Sequence, residues 1–197
     1  MPVIAITGGL GSGKSTVREI FEEFGAKGVD TDEIARRVIQ PGTRGSRMVR
    51  EAFGDSFFTP EGQMDRKKMA GHVFSDPSRR EKLESILHPL IREAEDKVVR
   101  ELLRKDPGAV VVVEVPLLAE GDRAGHYDGV VLVTAPEDVR MDRLVRSGRY
   151  TRDEAALRMA HQADDRERER VASWIVENSG PVGKTRSQVR SVLDQMV

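Results

Sequence analysis

The chain has 197 residues, of which 38% are hydrophobic and 33% are charged, and its formal net charge is −1. That length allows one sizeable core, the balanced charge speaks against bulk binding to nucleic acid or an anionic membrane, and no apolar run approaches the roughly 20 residues that span a bilayer. The chain has no cysteine, which excludes disulfides and cysteine-based metal sites, and it begins without a signal peptide, so we expect a cytoplasmic protein.

Apolar runs at 3–7, 109–115 and 129–134 predict buried strands, and 26–30 and 174–176 are weaker candidates. After the first strand, Val17, Ile20, Phe21 and Phe24 lie on one helical face, and Gly25 offers a stop. Strands that alternate with helices in this way predict an α/β fold with a parallel sheet.

The interval from 31 to 87 has no strong buried strand and is predicted to be a helical insertion with turns at 40–45 and 59–63. A helical pattern covers 83–98, but Pro89 should kink or break that helix near His88. A second, polar helical segment runs from 137 to 170.

The stretch "VIAITGGLGSGKSTV" at 3–17 contains Gly8-x-x-x-x-Gly13-Lys14-Ser15, a complete phosphate-binding loop between a strand and a helix. Glycines let main-chain N–H groups surround phosphate oxygens, and the helix N-terminus adds partial positive charge. Lys14 is predicted to reach the β- and γ-phosphates, and the Ser15 hydroxyl to bind Mg²⁺. The sequence therefore predicts binding of a nucleoside triphosphate.

Two acidic features lie at predicted strand ends, where α/β sheets place their ligands. Asp30 and Asp32 follow the second strand: Asp32 could orient a substrate hydroxyl or merely cap the next helix, and Asp30 could hold a metal-bound water. Glu114 ends the 109–115 strand and suits the water shell of Mg²⁺, unless it is simply an exposed strand-end carboxylate.

Arginines recur every third residue from Arg140 to Arg152, with Arg158 further on. Such a row could clamp a triphosphate, and it could equally be a solvated helix face. His88 and Arg92 lie at "LHPLIR", where packing or capping is the more common role for a lone histidine.

A switch GTPase needs an N-K-x-D segment, which the chain lacks. A small kinase needs an acceptor site, a group that orients the acceptor hydroxyl, and mobile cations, and the chain offers candidates for each. A kinase of another nucleotide or small alcohol, and a slowly hydrolysing regulatory module, stay as alternatives.

The order and spacing of "TGGLGSGKST", "VDTDEIARRV", "LHPLIR", "EVPLLAE", "RLVRSGR", "RMAHQ" and "IVENSG" resemble the dephospho-CoA kinase family over nearly the whole chain. The resemblance implies ATP-dependent phosphorylation of the ribose 3′-hydroxyl of dephospho-CoA, with Mg²⁺, as the last step of coenzyme A synthesis. It implies small-molecule substrates, no nucleic-acid or membrane partner, and a monomer or small homo-oligomer. Thr31, Glu114, Arg140 and Ser173 depart from the residues usual in the family, which are Ala, Asp, Gln and Asp.

The implied fold is a three-layer P-loop kinase core with a five-stranded parallel sheet, a helical substrate lobe and a helical lid. The core covers 1–30, 88–139 and 166–197, the lobe 31–87 and the lid 140–165. The resemblance makes Asp32 the base and Arg143 and Arg146 the phosphate-steadying arginines, beside Lys14. The expected ATP-binding residues are Gly8, Gly9, Gly11, Ser12, Gly13, Lys14, Ser15, Thr16 and Asn178. The expected acceptor-binding residues are Asp32, Arg36, His88, Arg92, Pro116 and Leu117, and Ser15 and Glu114 are the expected metal ligands.

Overall fold

A computed structural model describes residues 2–74, 76–119, 121 and 123–196. Its five-stranded parallel sheet has the order β2-β3-β1-β4-β5. The strands are β1 (Val3–Thr7), β2 (Lys27–Asp30), β3 (Val111–Glu114), β4 (Gly129–Thr134) and β5 (Trp174–Glu177). The α/β fold and the five strands predicted from the sequence are confirmed, with boundaries that differ by up to two residues.

The helices of the described residues alternate with these strands and fill the long interval between β2 and β3. They are α1 (Lys14–Glu23), α2 (Thr31–Val38), α3 (Arg44–Phe53), α4 (Arg66–Phe74), α5 (Pro77–Lys105), α6 (Glu137–Arg146), α7 (Arg152–Ala160), α8 (Asp165–Val171) and α9 (Val182–Asp194). As predicted, the first helix ends just before Gly25, whose φ of +98° is readily adopted by glycine. None of the described helices is long and apolar enough to cross a membrane.

The chain divides into two compact units, one formed by Met1–Val29 with Glu101–Val197 and the other by Asp30–Arg100. The first unit contains the core in which α1 and α9 pack on the sheet. Phe21 and Val17 of α1 and Val189 of α9 are fully buried there against Ile6 and Val131. Burial of this much apolar surface is what holds both helices on the sheet.

The second unit has its own small core, in which Val49, Phe57 and Met69 are buried and Leu83, Ile86 and Leu87 of α5 are packed against them. The predicted lobe, 31–87, lies inside this unit, and its helical character is confirmed.

Helix α5 continues through Pro89, so of the predicted kink or break near His88 the break is wrong, and the kink stays a prediction. Proline removes one main-chain hydrogen bond and crowds the preceding turn. That turn carries Ile86 and Leu87, which pack on the second unit's core, and Leu90 directly after the proline is buried. We infer that this packing on both sides of Pro89 offsets the lost hydrogen bond.

Helix α9 also satisfies polar groups of the edge strand β5. The Gln188 side-chain amide donates to the Glu177 carbonyl (2.8 Å) and accepts from the Glu177 N–H (2.9 Å). At the C-terminal end of α9, Gln195 accepts from the Trp174 indole N–H (2.9 Å). The two glutamines therefore bond α9 to the first and the last residue of β5.

Candidate active site

The phosphate loop joins the central strand β1 to helix α1, and both elements belong to the first unit. In the sheet, β1 lies between β3 and β4, so that β2 and β3 are on one side of it and β4 and β5 are on the other. The order of strands reverses at this point, and ligands of open α/β sheets bind there, outside the carboxyl ends of the strands. The fold thus carries the loop to the position where a nucleotide would be expected.

Two features shape the loop. Gly13 caps α1 with a φ of +89°, and a side chain there would collide with the Asn178 amide nitrogen, so both conformation and space require glycine. The Ser12 N–H donates to the Gly9 carbonyl (3.1 Å), which closes a tight turn inside the loop. Gly8 and Gly9 are buried.

Lys14 curls back over the loop that precedes it. Its ammonium group donates to the carbonyls of Gly8 (2.9 Å) and Gly9 (3.3 Å), and the residue is only 9% exposed. A buried ammonium held by neutral carbonyls, at the N-terminus of a helix, is well suited to bind an anion. This position agrees with the predicted contact with phosphates.

Ser15 and Glu114 are brought together, as their shared assignment to a metal site requires. The Ser15 hydroxyl donates to one Glu114 carboxylate oxygen (3.0 Å), and Arg18 donates to the other (3.1 Å) while also pairing with Glu22 (3.0 Å). Glu114 is buried, so the alternative of an exposed strand-end carboxylate is wrong. A hydroxyl and a carboxylate are the hard oxygen donors that Mg²⁺ prefers, so the residues fit the ion.

Arg18 is a residue of this site that the sequence analysis missed. Its only sequence signal is the spacing of four from Glu22 on α1, which is common on exposed helices.

Asn178 follows β5 and is hydrogen-bonded on all sides. Its side-chain amide donates to the Ser12 carbonyl (2.8 Å) and accepts from the Thr185 hydroxyl (2.9 Å). Its main chain donates to the Thr134 carbonyl (2.8 Å) and accepts from Arg143 (2.6 Å). The residue predicted to bind ATP thus touches the phosphate loop directly, and Thr185 is a further residue that the sequence analysis missed.

The members of the arginine row differ in their surroundings, and a clamp on the triphosphate stays a prediction for all of them. Arg143 lies against the loop and donates to the carbonyl of Ser12 (3.3 Å) and, more weakly, to that of Gly11 (3.5 Å). Arg146 is 82% exposed in its side chain and pairs with Asp142 at 3.8 Å. Its catalytic role therefore stays a prediction. The remaining members Arg149, Arg152 and Arg158 are exposed, whereas Arg140 is buried.

The polar segment after α7 supplies further contacts to the loop. Gln162 accepts from the Leu10 N–H (2.8 Å), and Leu10 packs on the apolar cluster of α6 and α7. Arg140 and Arg168, both buried, pair with the same carboxylate of Asp165, at 3.8 Å and 2.8 Å. Gln162 lies in the segment "RMAHQ", but its loop partner Leu10 is remote along the chain. Arg168 pairs with the nearby Asp165, and its burial has no signal in the sequence.

Glu177, the carboxylate at the end of β5, has a lowered pKa. A hydrogen bond from the Ser179 side chain is the main cause that lowers the pKa of Glu177, and the Ser179 main-chain N–H and the charges of Lys184 and Arg143 act in the same direction. Glu177 is thereby kept ionised beside the loop-binding arginine.

The acidic pair belongs to the second unit, and the structure separates the roles of its members. One Asp30 oxygen accepts from the N–H groups of Asp32 (2.8 Å) and Glu33 (3.2 Å), so Asp30 is the N-cap of α2. The alternative that Asp32 only caps this helix is therefore wrong. Asp32 is exposed in the first turn of α2.

The other predicted acceptor residues are distributed over both units. Arg36 is exposed on α2, and His88 and Arg92 are exposed and half-buried, respectively, on α5. Pro116 and Leu117 follow β3 in the first unit, where Leu117 is exposed. Their contact with an acceptor stays a prediction.

Comparison with known proteins gives one consistent result. The family model described as dephospho-CoA kinase (CoaE) matches residues 2–183. A dephospho-CoA kinase of Moorella thermoacetica is 40% identical over 196 residues, which cover all of this chain and 92% of that protein. The crystal structure of TT1252 from Thermus thermophilus superposes with a TM-score of 0.84 at 30% identity and covers 100% of this chain and 98% of its own.

A shikimate kinase of Acinetobacter baumannii shares the fold at lower similarity. Its TM-score is 0.52 at 17% identity, with 100% of this chain and 93% of the other covered. The architecture is therefore that of small P-loop kinases, as the sequence predicted.

Proposed function

The chain belongs to the dephospho-CoA kinase family, and from this premise we propose that it transfers the γ-phosphoryl group of ATP to the ribose 3′-hydroxyl of dephospho-CoA. The products are coenzyme A and ADP, which makes this the final step of coenzyme A synthesis. The observation that carries the proposal is the family match over 2–183, because it includes the phosphate loop, the acidic pair and the arginine-rich helices together.

The triphosphate is bound by the loop. Lys14 exchanges its two carbonyl partners for phosphate oxygens, while main-chain N–H groups and the N-terminus of α1 surround the remaining oxygens. The contacts of Asn178 and Arg143 with the Ser12 carbonyl support this binding mode, because they hold the main chain of the loop in place. The loop residues that take part are Gly8, Gly9, Gly11, Ser12, Gly13, Lys14, Ser15 and Thr16.

Ser15 and Glu114 are the residues that would hold Mg²⁺, Ser15 directly and Glu114 through water. The ion would neutralise charge that develops on the phosphate oxygens. Since Ser15 already donates to Glu114 at 3.0 Å, the two oxygens are close enough to serve one ion and its water shell.

Asp32 orients the acceptor and receives its proton. The 3′-oxygen forms the new bond to the γ-phosphorus, the bond between that phosphorus and the β,γ-bridging oxygen breaks, and the hydroxyl proton passes to the Asp32 carboxylate. Asp30 supports this role by capping α2, which leaves the Asp32 carboxylate outside the cap. Arg36, His88, Arg92, Pro116 and Leu117 bind the rest of the acceptor.

Arg143 and Arg146 steady the transferred group during the reaction. Because the transition state is loose, positioning and charge supply most of the rate, and exclusion of water prevents wasted ATP hydrolysis. Arg143 is supported by its contacts with the loop, and Arg146 by its position one helical turn further along α6.

Three further expectations accompany the proposal. The helical lobe, 31–87, binds the acceptor, and the segment 140–165 acts as the lid. A monomer or small homo-oligomer in the cytoplasm, without a nucleic-acid or membrane partner, stays a prediction.

The test is a coupled ADP-release assay with ATP and Mg²⁺, run in parallel with dephospho-CoA, AMP, CMP, adenosine and shikimate. We expect turnover with dephospho-CoA alone, and coenzyme A as the product by mass spectrometry. Turnover with another of these acceptors would keep the kinase and remove the substrate assignment. ATP binding without turnover would favour a regulatory module.

A further inference from the structure

We propose that Thr185 is a positioning residue for ATP binding, because its hydroxyl fixes the Asn178 amide in the one orientation that supports the phosphate loop. The inference rests on the proposed function for its link to turnover. Its link to ATP binding depends only on contacts within the first unit.

The contacts form a short relay from α9 to the loop. The Thr185 hydroxyl donates to Asn178 Oδ1 (2.9 Å), and Asn178 Nδ2 donates to the Ser12 carbonyl (2.8 Å). Thr185 and Ser12 are fully buried and Asn178 is 6% exposed, so water cannot replace either bond at low cost.

The Asn178 main chain is anchored, which leaves its side-chain amide as the part that must be oriented. Its N–H donates to the Thr134 carbonyl and its carbonyl accepts from Arg143. The Ser12 carbonyl can only accept, so it requires Nδ2, and Oδ1 must then face Thr185. A valine at 185 would keep the shape of threonine and leave that oxygen buried without its hydroxyl donor.

The same amide also touches the next residue of the loop. A Cβ atom at Gly13 would collide with Asn178 Nδ2, so the amide packs directly on the Gly13 backbone. A rotation of the amide would therefore disturb Ser12 and Gly13 together, and these two residues immediately precede Lys14. The main chain that surrounds the phosphates thus depends on a hydroxyl that itself touches no phosphate.

The experiment compares T185V, T185S and the matched control S187A, which removes another α9 hydroxyl that is exposed and donates to the Gly183 carbonyl of its own helix. ATP·Mg²⁺ affinity is measured by calorimetry without acceptor, together with the KM values of both substrates and the Tm. Since a buried unpaired acceptor is costly, we expect T185V to raise the ATP Kd and KM about five- to twentyfold, with the KM of dephospho-CoA changed less than about twofold. T185S should restore ATP affinity, and S187A should not alter it.

A double-mutant cycle with N178A tests whether Thr185 acts through Asn178. In the N178A background, T185V should raise the ATP Kd by less than about twofold, because the relay is already broken. Fully additive losses would overturn the inference. So would a T185V variant with a lower Tm and an unchanged ATP Kd, since this shows a purely structural role. If the wild-type chain does not phosphorylate dephospho-CoA but its ATP affinity follows the expected pattern, the inference is upheld and the proposed function fails.

Discussion

Three side chains that contact the phosphate loop donate to its carbonyl oxygens. Lys14 reaches the carbonyls of Gly8 and Gly9, and Asn178 and Arg143 both reach that of Ser12. Asn178 and Arg143 together satisfy the Ser12 carbonyl, so this part of the loop is held without the ammonium group of Lys14, which is released when it binds phosphate.

Lys14 is the residue of this set that we expect to bind phosphate itself. The substitution K14M removes the charge and keeps most of the apolar stem, so ATP affinity should fall, and kcat should fall about 10²–10³-fold as for other losses of a transition-state donor. Steady-state kinetics and calorimetry measure both effects. K97M, on the exposed face of α5, is the matched control and should behave like the wild type.

Asp32 should affect the chemical step and leave nucleotide binding intact. D32N keeps the size of the side chain but removes its basicity, so kcat should fall by about 10²–10⁴, the usual contribution of a general base, while the ATP Kd changes little. The α2 cap is unaffected because Asp30 supplies it. Single-turnover kinetics test this against E33Q, an exposed neighbour on the same helix, and near-normal kcat in D32N would refute the role of Asp32.

Helix α5 contains a destabilising residue at an exposed position. In P89A the main-chain N–H can again donate to the carbonyl four residues earlier, so we expect the free energy of unfolding to rise by about 1–3 kcal/mol. Urea denaturation measures the change. An unchanged or lower stability would show that the proline ring itself packs favourably, and a simultaneous loss of kcat would indicate that the shape of α5 serves the acceptor.

Helix α7 begins with a capping box whose strength depends on pH. The Thr151 main-chain N–H and then its hydroxyl are the largest causes that lower the pKa of Glu154. A carboxyl whose pKa is lowered in the folded state stabilises that state above its ordinary pKa of about 4.3, and this contribution is lost as the pH falls through the lowered value. NMR titration of Glu154 should show this pKa below that of a model peptide in the wild type and closer to it in T151A.

The elements that the sequence predicts well are those with a dense local signal. β1, β3 and β4 are short apolar runs, whereas β2 and β5 have weaker signals. The glycine-lysine-serine motif contains most of its site within eight residues. Whether the helix breaks at Pro89 could not be predicted from the sequence, because the packing that holds its turn comes from α3 and α4, which no window around the proline includes.

Thr185 and Arg168 bond to residues close by in the chain and carry no signal of their burial, whereas the contacts of Gln162 and Asn178 with the loop are remote in sequence. Gln162 meets its loop partner Leu10 across 152 residues, and Asn178 meets Ser12 across 166. Such contacts exist only after the sheet has brought the chain ends together. The side chains involved are of types that lie on the surface in most proteins, so their burial gives no prior signal.

The fastening of β5 by Gln188 has a consequence for the molecule in a crowded solution. An uncovered edge strand can recruit the backbone of another chain and so start domain exchange or fibril growth. Here the N–H and C=O of Glu177 are both hydrogen-bonded to the side-chain amide of Gln188, in the way that the backbone of a neighbouring strand would bond to them. We therefore expect Gln188 to hinder strand addition at this edge, and Q188A to associate more readily than the wild type in light scattering at high protein concentration.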